Sequence, residues 1–173
     1  MTLHKKIALL LENYFEDVEV LYPYYRLQEE GHEVLLIGPK SKTEYKGKYG
    51  YPLISHKGID EVANKDFDGV MIPGGYAPDH IRRTPAMIDF VRSMNDAGKM
   101  IAGICHAGWV MISAECVKGK KVTSFSAIKD DMVNAGGLWI DQEVVRDTNI
   151  ITSRKPADLP AFCRTIISAL KEQ

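Results

Sequence analysis

The residues with the clearest chemical potential lie in Lys99-Met-Ile-Ala-Gly-Ile-Cys-His-Ala-Gly-Trp109. An apolar run from Met100 to Ile104 stops at Cys105, and a helix-compatible segment follows. This predicts a cysteine on a sharp strand-to-helix turn, where an α/β protein holds a nucleophile clear of its sheet. A helix N-terminus carries partial positive charge, so the expectation is a thiol pKa drawn down toward the thiolate. The competing reading of this stretch alone is a small buried residue closing a core strand. His106 comes next. Its side chain is a candidate base, or else makes a local hydrogen bond. Its backbone N–H, the first after the nucleophile, can serve an oxyanion.

Two other stretches carry polar or conformationally free residues after an apolar run. Pro73-Gly74-Gly75 follows Gly69-Val-Met-Ile72. Two glycines let the backbone approach a ligand and aim N–H groups at it, as the second half of an oxyanion hole or simply as a tight turn. Glu12-Asn-Tyr-Phe-Glu16 follows Lys6-Ile-Ala-Leu-Leu-Leu11. A carboxyl enclosed in a crevice would have a raised pKa and could donate a proton beside a thiolate. Glu16 is the candidate, with Glu12 and Asp17 in competition, and a solvated helix start as the plain alternative. Tyr14, in the same loop, is a candidate pocket wall. Asp79-His80 and Arg82-Arg83 read as a polar loop; Asp79 could orient an imidazole near Cys105 from the same chain or from a partner's.

Helical and extended patterns alternate along the chain and must position these loops. Strands are expected at 6–11, 33–38, 69–72, 99–104, 121–123, 143–145 and 150–152. Helices are expected at 17–30, from the Thr84-Pro85 start to Gly98, at 106–115 and at 157–171. In the first helix Val18, Leu21, Tyr25 and Leu27 fall near one face. Residues 41–55 read as a small hairpin or meander with glycine turns. Alternation of fully apolar strands with helices implies a mostly parallel sheet covered on both faces. In such sheets ligands bind beyond the carboxyl ends of the strands, so the three loops should meet in one crevice.

The 173 residues suffice for one domain with a real core, and 45% hydrophobic with 26% charged residues describes a soluble globular chain. A net charge of −1 favours neither nucleic acid nor an anionic membrane. The longest N-terminal apolar run, Ile7 to Leu11, is too short for a signal-peptide core or a membrane span. A cytoplasmic location is the expectation. Cys105, Cys116 and Cys163 are odd in number and lack metal-type spacing, so neither a disulfide framework nor a metal site is expected. Cys116 and Cys163 read as packing residues, and Tyr22, Tyr24 and Tyr25 as core or interface. Nothing suggests an organic cofactor.

Phe15 to Val34, Pro73-Gly-Gly-Tyr-Ala-Pro-Asp79, Gly103-Ile-Cys-His106, Asp130 to Gly136 and Thr152 to Leu159, taken in order, resemble the PfpI family. This is the intracellular peptidase and glyoxalase/deglycase branch of the DJ/PfpI superfamily. The resemblance spans nearly the whole chain. It implies one PfpI-like, class I glutamine amidotransferase-like domain over residues 1–173, folded as a flavodoxin-like three-layer sandwich with a nucleophile elbow. By position it assigns Cys105 as nucleophile and Glu16 as the acid that hydrogen-bonds its sulfur. His106 matches the family histidine. Gly75 and the His106 amide match the oxyanion donors, with Gly74 beside them; Tyr14 remains a candidate pocket wall from its loop, and Trp109, at a departure from the family pattern, would narrow or reshape the pocket. Asp79 falls where peptidase members carry a glutamate that reaches the histidine of a neighbouring subunit, and the family forms dimers that often build hexamers. Two departures stand out. Family members usually read Cys-His-Gly-Pro, against Cys105-His-Ala-Gly-Trp109 here, and Asp79 is one methylene shorter than the expected glutamate.

The leading functional expectation is cofactor-independent chemistry on methylglyoxal or early glycation adducts of protein amines. A cysteine peptidase using Cys105, His106 and a neighbour's Asp79 is the alternative. A non-catalytic redox sensor, in which Cys105 oxidises to the sulfinic acid, comes from a different class. A glutamine amidotransferase would need a histidine well after the cysteine, and His4, His32, His56, His80 and His106 leave none there.

Overall fold

A computed structural model describes residues 4–172. In chain order the elements are β1 (Lys6–Leu10), α1 (Asp17–Glu29), β2 (Glu33–Gly38), β3 (Glu44–Lys46), β4 (Pro52–Ile54), β5 (Lys57–Gly58), β6 (Gly69–Ile72), α2 (Ala77–Arg82), α3 (Pro85–Asp96) and β7 (Met100–Ile104). There follow α4 (Gly108–Ser113), β8 (Lys121–Val122), α5 (Lys129–Asn134), β9 (Leu138–Trp139), β10 (Val144–Asp147), β11 (Ile150–Ser153) and α6 (Leu159–Lys171).

Seven strands form the central sheet in the order β10-β11-β7-β6-β1-β2-β5. All pairs are parallel except β10 with β11. The inner strands are apolar on both sides because helices cover both faces: β6 and β7 are buried at every residue, and so are Ile7 to Leu10 of β1. The β1→β2 and β6→β7 crossovers run in opposite directions across the sheet. Right-handed connections therefore send α1 and α3 to opposite faces. α6 packs on α1, while α2 and α4 join α3. The alternation of patterns implies this parallel sheet covered on both faces, and the family resemblance implies its flavodoxin-like arrangement.

The order of strands reverses between β1 and β6, and the crevice above that point is where such sheets bind ligands. The loop after β1 and the loop after β6 are joined there. Phe15 and Gly75 form an isolated antiparallel bridge, Glu16 N–H donates to Gly74 O at 3.2 Å, and Tyr76 N–H to Tyr14 O at 2.8 Å. Residues 41–55 form the expected antiparallel hairpin, β3 with β4. Its tip is fastened to the start of α1. The buried Asp17 carboxylate accepts Tyr49 N–H at 3.0 Å and Tyr51 N–H at 3.2 Å.

Three expectations need correction. Residues 77–82, expected as a polar loop, are the helix α2; Pro78 sits in its first turn and His80 and Arg82 in its last, both favourable placements. The segment after Cys105 opens with a 3-10 turn, Cys105–Ala107, before the short α4. The buried face of α1 carries Glu19, Val20, Pro23 and Leu27, while Val18, Tyr22 and Tyr25 are exposed. Counting apolar residues alone misplaced that face, because one of the residues it buries is a carboxylic acid. No helix among the described residues is long and apolar enough to cross a membrane.

Candidate active site

Cys105 ends β7 with φ +63°, the left-handed region that a non-glycine residue enters only under constraint. The turn lifts the thiol off the sheet and leaves Cys105 half-buried. Gly103, one turn below, leaves room for this: a Cβ there would lie 2.6 Å from Met111 Sδ. The backbone N–H groups of His106 and Gly75 are directed to the sulfur and favour its thiolate. Gly75 reaches that position through φ +75°, packed against the backbone of Tyr14–Glu16 where a side chain has no space.

The acid beside the sulfur is Glu19, not Glu16. Glu19 is fully buried in the first turn of α1, and its Oε2 accepts Gly74 N–H at 2.8 Å. Its Oε1 is buried with no hydrogen-bond partner among the described residues, and the Cys105 side chain is close enough to influence the carboxyl's titration. Gly74 separates the two groups. A Cβ there would lie 2.5 Å from Glu19 Oε2, 2.6 Å from Cys105 Cβ and 3.2 Å from Cys105 Sγ. Gly74 is thus the spacer that lets acid and thiol meet, and its N–H serves the carboxyl rather than an oxyanion. Glu16, the N-cap of α1, is largely covered (side chain 13% exposed) but pairs with Lys48 Nζ at 3.4 Å rather than with the thiol. A helix turn is the reason: Glu16 and Glu19 are three residues apart and both sit over the crevice, but only Glu19 shares the buried face of α1.

Burial pushes the Glu19 carboxyl up to about 8; the nearby Glu16 charge adds to this, while the Gly74 N–H opposes it. Glu19 is therefore mostly protonated at neutral pH, a donor next to sulfur. Burial also pushes the Cys105 thiol up, to about 12, with the negative charge of Glu19 adding and the His106 and Gly75 amides opposing. The lowered thiol expected from a helix N-terminus is thus corrected. α4 is one and a half turns long and begins beyond a 3-10 turn, so its dipole is outweighed by desolvation.

His106 faces Cys105, with Nδ1 at 3.3 Å from Sγ. Burial holds its imidazole below its ordinary pKa, the Lys48 charge acts the same way, and Asp131 opposes both. It is a neutral imidazole at pH 7, able to accept the thiol proton. Phe125 stacks on the ring at 5.2 Å between centroids and Trp109 meets it edge-on at 5.1 Å. Asp79 is exposed on α2 and makes no bond to His106 within the described chain. Tyr14, Tyr76, Asp79, His80 and Trp109 line a cavity of about 410 Å³ at the mouth of the site. Tyr14 and His80 meet edge-on there at 5.6 Å. Cys116 and Cys163 are buried elsewhere.

The assembled groups comprise a thiol, a protonated carboxyl, a neutral imidazole and two converging amides. They can attack a carbonyl carbon, hold the developing oxyanion and move protons to and from it. No group of histidine, cysteine, aspartate and glutamate residues suited to a metal ion occurs among the described residues.

Comparison with known proteins gives concordant results. The sequence profile of the DJ-1/PfpI family matches residues 5–169. Deglycase PfpI of Pyrococcus furiosus is 46% identical over 166 residues, covering 96% of this chain and 99% of that protein. A protein of Bacillus subtilis named putative cysteine protease YraA is 38% identical over 167 residues, covering 96% and 99%. Among solved structures, a two-domain protein of Anabaena variabilis with DJ-1/ThiJ/PfpI-like and ferritin-like domains superposes with a TM-score of 0.94 at 40% identity. The match covers 96% of this chain and 48% of that one.

Proposed function

Because the chain belongs to the DJ-1/PfpI family, we propose that it is a cysteine-dependent enzyme acting on methylglyoxal or on the early adducts methylglyoxal forms with protein amines. The observation that carries this reading is the meeting of Cys105, the raised Glu19 carboxyl and the amides of Gly75 and His106 at one point. The names of the relatives, deglycase and putative cysteine protease, support an enzyme and differ on its substrate.

The chemistry follows from the protonation states. His106 Nδ1 takes the Cys105 proton as Sγ bonds to the aldehyde carbon. The carbonyl oxygen gains negative charge facing the Gly75 and His106 amides, and the Glu19 proton converts it to the hydroxyl of a hemithioacetal. The Glu19 carboxylate then removes the hydrogen of that carbon as a proton while the ketone oxygen takes up a proton, giving an enediol. Glu19 returns its proton to the former ketone carbon as the first carbon's hydroxyl gives up its own and becomes the thioester carbonyl, so the two protons lost equal the two gained. The aldehyde carbon is thereby oxidised to a thioester and the ketone carbon reduced to an alcohol, with no external oxidant. Water cleaves the S–C bond, lactate leaves and Sγ regains its proton. An early amine adduct offers the same aldehyde carbon with the protein amine as leaving group.

A peptidase reading has one observation in its favour, the 3.3 Å approach of His106 Nδ1 to Sγ. It requires a second protomer to bring an Asp79 to that imidazole. The redox-sensor reading is disfavoured by the raised thiol, since oxidation follows thiolate character. The test measures lactate from methylglyoxal, and peptide cleavage in parallel, for wild type and Cys105→Ala. Lactate formed by wild type and abolished by the substitution is expected; cleavage of peptides without lactate formation would overturn the proposal.

A further inference from the structure

The imidazole of His106 has its own fixture within the chain, and it does not involve Asp79. Trp109 lies one turn along from His106 and presents its indole edge-on, with ring centroids 5.1 Å apart and planes at 70°. The indole is itself fastened: Nε1–H donates to Asp131 Oδ2 at 2.8 Å, across from α4 to the first turn of α5. A second wall is Phe125, whose ring stacks on the imidazole at 27° and whose backbone N–H bonds Cys105 O at 3.2 Å. The ring thus packs against two aromatics, each tied to a different part of the framework, with Nδ1 toward Sγ.

We propose that Trp109 and Asp131 are positioning residues for His106, fixing the imidazole over Cys105 from within one protomer. This rests on the reading of His106 as the base for Cys105. Neither residue touches the sulfur. Asp131 acts by holding Trp109, and Trp109 by denying the imidazole its other rotamers. An imidazole free to swing spends less time within reach of the thiol proton, and proton transfer slows in proportion. The charged groups nearest the imidazole are Lys48 and Asp131, acting in opposite directions. Charge and hydrogen bonding therefore have to be separated in the test.

The substitutions Asp131→Ala, Asp131→Asn and Trp109→Phe, and the double variant Asp131→Ala/Trp109→Phe, make that separation. The first readout is the rate of Cys105 alkylation by iodoacetamide at pH 7, which needs no carbonyl turnover. The second is the kcat and KM for methylglyoxal. Asp131 is exposed, so the variants should fold. The rate should fall about 5- to 10-fold in Asp131→Ala, as for a displaced rather than deleted base. Asp131→Asn, whose amide oxygen still accepts the indole N–H, should recover at least half of the wild-type rate. The double variant should be no slower than the slower single variant, because both break one fixture. Where methylglyoxal is turned over, the loss should fall on kcat with KM held. An Asp131→Ala rate within twofold of wild type, multiplicative losses in the double variant, or an Asp131→Asn loss as large as that of alanine would overturn the proposal. A wild type that makes no lactate but shows the alkylation pattern would overturn the methylglyoxal reading and leave this one standing.

Discussion

Replacing Glu19 by glutamine removes a titration that the fold has displaced strongly. In the unfolded chain the carboxyl loses its proton near the ordinary 4.5, whereas in the folded protein it keeps it until about 8. Between those values the native state binds the extra proton, so stability falls as pH rises through the window. The slope is about 1.4 kcal/mol per pH unit for one such group. His32 and His106, both held below their ordinary pKa by burial, act only on the acid side of 6.5, and there stability rises with pH. The three cysteines, all raised by burial, act above pH 9, where stability falls. From pH 6.5 to 8.5 the wild type should therefore lose about 2 kcal/mol that Glu19→Gln does not lose. For a chain of this size that difference is about 4 to 8 °C in Tm. The assay is thermal unfolding of both proteins across that range at constant ionic strength. Subtracting one curve from the other cancels groups common to both. Parallel curves would refute the assignment of Glu19 as a buried, protonated acid.

Further expectations follow from the same geometry. Alkylation of Cys105 by iodoacetamide should rise with pH up to about 8 in wild type and then level off, as the Glu19 charge that appears there opposes thiolate formation, and this levelling should vanish in Glu19→Gln. Gly74→Ala places a Cβ 2.5 Å from Glu19 Oε2 and 2.6 Å from Cys105 Cβ; urea unfolding should show a loss of about 1–3 kcal/mol and alkylation should slow at least tenfold. Asp17→Ala leaves the N–H groups of Tyr49 and Tyr51 without their carboxylate. It should cost about 1–3 kcal/mol and open residues 47–51 to limited proteolysis.

The sheet, its helices and the meeting of three loops were legible because each strand announced itself as an apolar run and topology dictates where strand ends converge. The placement of Cys105, Gly75 and the amide of His106 in one crevice was legible for the same reason, since it is set by backbone position. Glu19 was not. In the sequence it sits among Glu16, Asp17 and Glu19, and a count of apolar spacing treats every acid as solvent-facing. The only signal was position: a residue in the first turn of the helix after β1 lies at the carboxyl edge of the sheet, which made Glu19 as eligible as Glu16. The raised thiol was hidden too, because it depends on how deeply the elbow is covered, and on α4 being short. The link from Trp109 to Asp131 joins residues 22 apart and left no local trace. The approach of His106 to the sulfur depended on a side-chain rotamer that spacing does not fix.

The central claim is that turnover passes through the Cys105 thiol. Iodoacetamide titrates it directly: aliquots are alkylated to increasing extents, the modified residue is located by peptide mass, and methylglyoxal-to-lactate turnover is measured on each. Cys116 and Cys163 are buried and should stay unmodified. Turnover is predicted to fall in direct proportion to Cys105 modification and to reach zero at one label per chain. Undiminished lactate formation from protein fully labelled at Cys105 would contradict the account.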